Sequence, residues 1–276
     1  MIRTIELKRS LVAWLLGTMA VATSAPVLAE EDVFDGKWHF AVTPYLWLPS
    51  INGSLTYHNV HGTQTELSTT VDPNDYLNSL DAAAMLAGEV RKGEALIFTD
   101  YLYIHFGGHD ATVKTVTGPF GDVHVPTHEG GAFSSVTNIW TIGAGFAVLH
   151  GAEGFLDLFG GARLLSLSSY VNWSFTTPVG LLDRSGTVSA SENHWDAIVG
   201  LKGQVRLGQT NWFVPYYGDV GGSSGNWTWQ ASGGMGYHFA WGDAVLLYRN
   251  LTYHFNDKVD LDVHLTGPML GVTFKF

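Results

Sequence analysis

The chain has 276 residues, a net charge of −11 and only 14% charged side chains, against about 25% in a typical soluble domain. The acidic balance, with no basic stripe, disfavours a nucleic-acid partner. The absence of cysteine excludes disulfides, thiolate metal sites and thiol nucleophiles. A mean hydropathy of +0.10 without a long apolar run argues against helical membrane spans.

The N-terminus has the three parts of a secretory signal peptide. Arg3, Lys8 and Arg9 supply positive charge, residues 11–22 are apolar, and residues 27–29 offer small or aliphatic side chains before a cleavage point. The apolar run is too short to anchor the chain in a membrane. We therefore expect residues 1–29 to be a cleaved signal peptide and residues 30–276 to form one mature domain.

Most of the remaining chain alternates with a period of two residues, most clearly over residues 226–241. One face of this segment carries Trp227, Trp229 and Trp241 at its ends and small or apolar residues between them. From Trp229 to Trp241 a strand would span roughly 28 Å at a rise of ~3.3 Å and a tilt of ~45°, close to a hydrocarbon layer with two aromatic girdles. The pattern predicts an all-β fold, an antiparallel transmembrane β-barrel.

Charged side chains in three further alternating segments, residues 80–91, 156–164 and 195–207, fall on the face opposite an apolar row. An Arg or Lys facing the lipid midplane costs ~2–4 kcal/mol, so the charged face must be the interior. These charges could pair as a structural network in a narrow barrel or line a water-filled pore in a wider one. The predicted interior charges are Glu89, Arg91, Asp157, Arg163, Asp196, Lys202 and Arg206.

The connections between the predicted strands suggest a topology. Short connections, such as residues 91–94, alternate with longer ones, including residues 107–133 and 173–191, as periplasmic turns and external loops do in outer-membrane barrels. Nine strands from Leu80 onward and three before it, at residues 37–48, 53–60 and 63–71, give about twelve strands, with ten or fourteen possible. A short helix predicted over residues 72–80 could plug the lumen or pack at the rim.

The last strand ends the chain with one apolar face. It resembles the C-terminal strand by which outer-membrane proteins are recognised for insertion. We expect this face to act as an assembly signal, which makes the outer-membrane assembly machinery a partner beside outer-membrane lipid and lipopolysaccharide. The oligomeric state is left open. The predicted signal residues are Leu270, Val272, Phe274 and Phe276.

Dispersed motifs in the first half of the mature chain carry a family resemblance. They are Trp38-His39-Phe40 with Pro44-Tyr45-Leu46-Trp47, then Leu80-Asp81 and Glu89-Val90-Arg91-Lys92-Gly93, with Asp100 and Tyr103 following. The chain thereby resembles an uncharacterised group of proteobacterial outer-membrane β-barrel proteins. The resemblance implies the fold and a location in the Gram-negative outer membrane, and it carries no activity.

Candidate chemistry is sparse. His105, His109, His124 and His128 form two pairs spaced four residues apart, but glycine-rich sequence around them favours solvated loop histidines over a metal site. We expect no metal, no other cofactor and no catalytic residue. The predicted function is a passive small-solute channel or a closed structural or binding barrel. The alternative is a lipid-modifying hydrolase using His194, whose neighbours Glu192 and Asp196 share its face.

Overall fold

The computed structural model describes residues 33–58, 64–108, 116–118, 121–123, 133–175, 184–256 and 260–276. The predicted signal peptide, residues 1–29, lies outside these ranges. Among the described residues no helix is long and apolar enough to cross a membrane. The strands are β1 (Trp38–Trp47), β2 (Ser50–His58), β3 (Gln64–Val71), β4 (Leu80–Lys92), β5 (Ala95–Gly108), β6 (Val116–Gly118), β7 (Gly121–Val123), β8 (Phe133–Gly151), β9 (Gly154–Phe175), β10 (Arg184–Arg206), β11 (Trp212–Ser223), β12 (Asn226–Phe239), β13 (Gly242–Asn256) and β14 (Asp260–Lys275).

Ten of these strands close into an antiparallel ring, in the order β1-β4-β5-β8-β9-β10-β11-β12-β13-β14 and back to β1. At the closing seam, Phe40 and Phe276 exchange two backbone hydrogen bonds of 3.0 and 2.9 Å. Strands β2 and β3 extend the same sheet outside the ring. The predicted fold class is therefore confirmed: the sheet has twelve strands, of which ten form the barrel.

Strands β1 and β2 are two parts of one long strand. Ala41 pairs with Lys275 and Ser50 with Thr266, so nine steps along one chain match nine steps back along the other. The break between them falls at residues 48–49, and Pro49 lacks an N–H with which to continue the ladder. β2 therefore pairs with the outer half of β14 on the same edge where β1 pairs with its other half. Because β2 continues β1 in this way, β2 and β3 add no further strand to the ring.

The predicted helix forms at the outer rim. Helix α1 (Pro73–Tyr76) and a 3-10 turn (Leu77–Ser79) connect β3 to β4, and neither contains a buried residue. Tyr76 donates a 2.9 Å hydrogen bond to the carbonyl oxygen of Pro49 and packs edge-on against Phe106. Burial raises the pKa of Tyr76 to about 12, so this donor keeps its proton at physiological pH. The segment therefore packs at the rim and does not plug the lumen.

Side chains around the ring alternate between a packed interior and an exposed exterior. On β10, Ile198 is 2% exposed and its neighbour Val199 is 62% exposed. The exposed face is apolar and aromatic, as a lipid-facing surface must be. It includes Trp38, Trp140, Trp195, Trp212, Trp227 and Trp241.

One predicted face assignment is wrong. The sequence pattern places Leu80 on the outward face of β4, opposite Arg91, but Leu80 packs against the buried interior cluster. The ladder with β5 is irregular between Leu80 and Ala82. A bulge of this kind adds a residue to one strand and so reverses the faces beyond it.

The outer ends of the strands are uneven in height. Residues 173–191, predicted to form a loop, are mostly strand, because β9 continues to Phe175 and β10 starts at Arg184. The sequence of these two strand ends is mostly polar and lacks the apolar alternation that marks the other strands. By contrast, β11 and β12 meet in a tight turn at Ser224 and Gly225, both with positive φ.

Candidate functional site

The half of the interior nearest the start of β1 and the end of β14 holds a four-residue charge cluster. Arg91 donates hydrogen bonds of 3.0 and 2.5 Å to the two carboxylate oxygens of Asp157, and it contacts Glu89 at 3.2 Å. Lys202 reaches the other oxygen of Glu89 at 2.5 Å. Two predicted anions and two predicted cations thus meet across three strands. Each of these charges has an oppositely charged partner inside the ring.

Aromatic rings cover this cluster on the side facing the start of β1. The guanidinium carbon of Arg91 lies 5.0 Å from the ring centre of Phe34 and 4.9 Å from that of Phe155. Phe34 also stacks on His150, with ring centres 4.5 Å apart. The segment before β1 therefore packs over Arg91 at this end of the barrel.

A second cluster lies at the middle of the barrel, around Arg163. The side chains of Arg163 and Asp219 are both 0% exposed, and one of their two hydrogen bonds measures 3.0 Å. Arg163 also donates to Thr141 at 3.2 Å and to Gln230 at 3.3 Å. Because all these partners converge on one guanidinium, the charge is buried without being left unpaired.

A third buried pair joins Arg249 to Asp100 at 2.9 Å. Tyr45 donates to the same carboxylate at 2.5 Å, and Gln230 accepts from Arg249 at 2.9 Å while also accepting from Arg163. The indole of Trp47 lies 4.6 Å from the Arg249 guanidinium. Gln230 therefore links the second and third clusters into one network.

The sequence pattern identified most of the buried charges but few of their partners. It offered no partner for Arg163 outside its own strand, whereas the structure supplies Asp219 from β11. Neither Asp100 nor Arg249 is among the predicted interior charges, and both belong to the network. A charge on an alternating segment with two apolar faces is the signal that could have identified this pair, since such a charge has to be buried and matched.

Two further predicted charges make other contacts. Asp196 is buried but faces His194, at 2.9 Å, and does not pair with Lys202. Arg206 is half-buried near the barrel end, where its N–H donates to the carbonyl oxygen of Glu153 at 2.7 Å.

Apolar side chains fill the space between the charges. One buried cluster contains Trp47, Leu102, Ile139, Leu251 and Tyr253, and a second contains Leu96, Phe98, Phe159 and Ile198. The ring of Phe98 packs edge-on against that of Phe159, with centres 4.8 Å apart. The interior of the ring is thus packed with side chains drawn from every part of the wall.

The predicted hydrolase residue His194 lies near the outer end of the interior beside a serine that the sequence did not single out. Ser223 Oγ lies 3.2 Å from His194 Nε2 and 3.3 Å from Asp196 Oδ1. The carboxylate also contacts Nε2, at 2.9 Å. A serine hydrolase uses one imidazole nitrogen to take the serine proton and the other to bind the acid. Here the serine and the acid address the same nitrogen, so the histidine is not arranged as a general base for Ser223.

The remaining predicted residues are the four histidines expected in a loop and the residues of the assembly signal. His105 Nε2 lies 3.0 Å from Ser134 Oγ, while His109, His124 and His128 fall outside the described residues. In the part of the chain that the structure describes, no group of three or more His, Cys, Asp or Glu side chains could hold a metal ion. Leu270, Phe274 and Phe276 lie exposed on the outer face of the last strand.

The chain resembles solved structures at low sequence identity. No protein-family model and no curated protein matches the chain. Solved structures that resemble it include the outer membrane protease OmpT from Escherichia coli (9% identity, 90% of this chain and 99% of that chain, TM-score 0.49), Ail from Yersinia pestis (9%, 87% and 99%, 0.30), and the translocator domain of the autotransporter NalP from Neisseria meningitidis (13%, 99% and 96%, 0.26). These are outer-membrane β-barrels.

Proposed function

We propose that this chain is an integral barrel of the Gram-negative outer membrane, closed to solutes, that serves a structural or binding role at the cell surface. The observation that carries the proposal is the packed interior, in which Arg163, Asp219 and the two apolar clusters occupy the space a pore would need. A solute path requires a continuous water-filled lumen. The proposal therefore favours the closed barrel over the passive channel that the sequence left open.

Planar-bilayer recording of the purified protein tests this proposal. We expect no single-channel steps from the wild-type protein. The double substitution Phe98→Ala/Phe159→Ala removes two large rings from one apolar cluster and serves as the matched positive control, since it should admit water and ions. Clear single-channel steps from the wild-type protein would overturn the closed-barrel proposal.

A hydrolase remains the alternative because Ser223, His194 and Asp196 lie together, although their geometry does not favour it. We propose that the protein is not an enzyme. Turnover of phospholipid and lipid A by the wild-type protein, compared with Ser223→Ala, decides between the two. Product release that disappears in Ser223→Ala would establish the hydrolase.

The exposed surface supports the proposed location and partners. Its apolar belt suits outer-membrane lipid, and the Phe40–Phe276 seam places the predicted assembly strand at the closing edge of the ring. Membrane fractionation of cells expressing the full chain should recover it with outer-membrane markers.

A further inference from the structure

The outer faces of four adjacent strands, β13, β14, β2 and β3, change polarity abruptly partway along their length. On the lower part of this wall and on the adjoining strand β1, the outward residues are apolar and include Leu46, Leu246 and Leu270, all at least 43% exposed. Above them every described outward residue is polar. The lowest polar row is Asn250, Thr266 and Ser50, which pair directly across the ladder.

The inward residues of the same upper rows are apolar, so these polar side chains face outward. Ile51, Leu251 and Leu265 all belong to one interior cluster or pack against it. From Phe276 to Pro268 the apolar part of β14 rises roughly 19 Å, at ~3.3 Å per residue and ~45° tilt, which is near the ~25 Å apolar band of outer-membrane barrels. The polar rows therefore begin where the head groups of the outer leaflet lie.

The polar side chains are ordered by hydrogen bonds between strands. Asn250 donates to Thr266 at 2.7 Å, and in the next row Thr252 Oγ1 lies 3.0 Å from His264 Nδ1. The row above joins His254 to Asp262. On the other side of β14, Thr70 of β3 donates to Asn52 of β2 at 2.7 Å. We call these outward residues of the four strands the polar ladder.

The polar ladder suits a neutral, hydroxyl-rich ligand. Apart from the carboxylate of Asp262 and the buried hydroxyl of Thr252, its groups are hydroxyls, amides and imidazoles, which both donate and accept hydrogen bonds as sugar hydroxyls do. Among its described residues there is no Lys or Arg, the side chains that bind phosphate best. Trp227, 48% exposed, borders the ladder with its ring centre 5.6 Å from that of His254. The negative face of an indole ring can pack against the C–H groups of a sugar ring.

We propose that the polar ladder binds the saccharide part of an outer-leaflet glycolipid, with lipopolysaccharide as the source. Ladder and lipid belt lie on the same strands, so a lipid whose acyl chains contact Leu246 and Leu270 places its head group against Asn250 and His264. This continuity favours a membrane glycolipid over a free glycan. The inference rests on the proposed surface binding role and names its ligand.

Native mass spectrometry of the full mature chain, with added lipid, tests the proposal. The three probes are lipopolysaccharide bearing its core saccharide, lipid A without it, and phosphatidylglycerol. The wild-type protein should retain the core-bearing lipid about tenfold better than lipid A. The triple substitution Asn52→Ala/Asn250→Ala/His264→Ala should abolish that preference and leave lipid A binding unchanged.

The control is Asn138→Ala, which changes a half-buried asparagine of β8, on a part of the wall away from the ladder. Heat-modifiable migration of both variants shows that they fold. Equal retention of lipid A and core-bearing lipid, or an undiminished preference in the triple variant, overturns the proposal. A dimer that the wild-type protein forms and the triple variant does not form also overturns the proposal, since the ladder would then bind a second copy of the chain. These readouts do not depend on conductance, so failure here leaves the closed-barrel proposal to its own test.

Discussion

Arg163 on β9 and Asp219 on β11 form an ion pair across β10, with both side chains 0% exposed. The two residues lie 56 positions apart in the chain. Their contact depends on the registers that β10 makes with both neighbours.

Removing one partner of this pair should destabilise the barrel strongly. We expect Arg163→Ala to cost ~3–5 kcal/mol, because it leaves Asp219 buried without a counter-charge. Heat-modifiability or urea titration of the folded barrel measures the loss. Arg163→Met/Asp219→Leu removes both charges and keeps the volume, so it should be much less destabilising than the single change. A single substitution as mild as the double one would contradict the pairing.

The pair of Lys202 and Glu89 should behave differently, because its side chains are 21% and 24% exposed. Solvent screens such a pair, so Lys202→Met should cost at most ~1 kcal/mol. The same titration checks this value. A loss as large as that of Arg163→Ala would mean that the cluster near the termini is as dry as the middle of the barrel.

Thiol labelling tests the faces of β10 in a bilayer. Cysteine in place of Lys202 or Arg206 should react with an aqueous thiol reagent, whereas cysteine in place of Leu201 or Val205 should resist it, because lipid covers that face. Cysteine in place of the buried Ile198 should resist labelling from the inside. The reverse pattern at positions 201 and 202 would show that the register is wrong.

Deleting Phe276 should impair assembly. The deletion removes the two backbone hydrogen bonds with Phe40 as well as the terminal ring. Phe276→Ala keeps the backbone pair and should assemble better than the deletion. The yield of heat-modifiable barrel measures both effects, and unchanged assembly of the truncated chain would refute the role of this residue.

Gly143 should tolerate no side chain. A Cβ there would lie 2.6 Å from two ring atoms of Phe98, whose ring is fixed against Phe159. Gly143→Ala should therefore destabilise the barrel by ~1–3 kcal/mol. Gly151→Ala is the control, since nothing lies within 4 Å of a Cβ at that position. Equal stability of the two variants would show that the interior is loosely packed.

The sequence by itself determined the fold class. Strand faces follow from alternation with a period of two residues, which is a local property that lipid on one side enforces along each strand. The all-β barrel and its twelve-stranded sheet could therefore be predicted. The same local pattern gave the wrong face for Leu80. Alternation assumes an unbroken strand, whereas the ladder of β4 is irregular between Leu80 and Ala82.

Tertiary structure decided which charges meet and how many strands close the ring. Pairing across the interior, as between Arg249 on β13 and Asp100 on β5, depends on the stagger and closure of the strands, which no single segment encodes. The ring has ten strands because β14 is long enough to pair with both β1 and β2 in one register. The polar ladder likewise exists only where four strands place their outward rows side by side above the lipid belt.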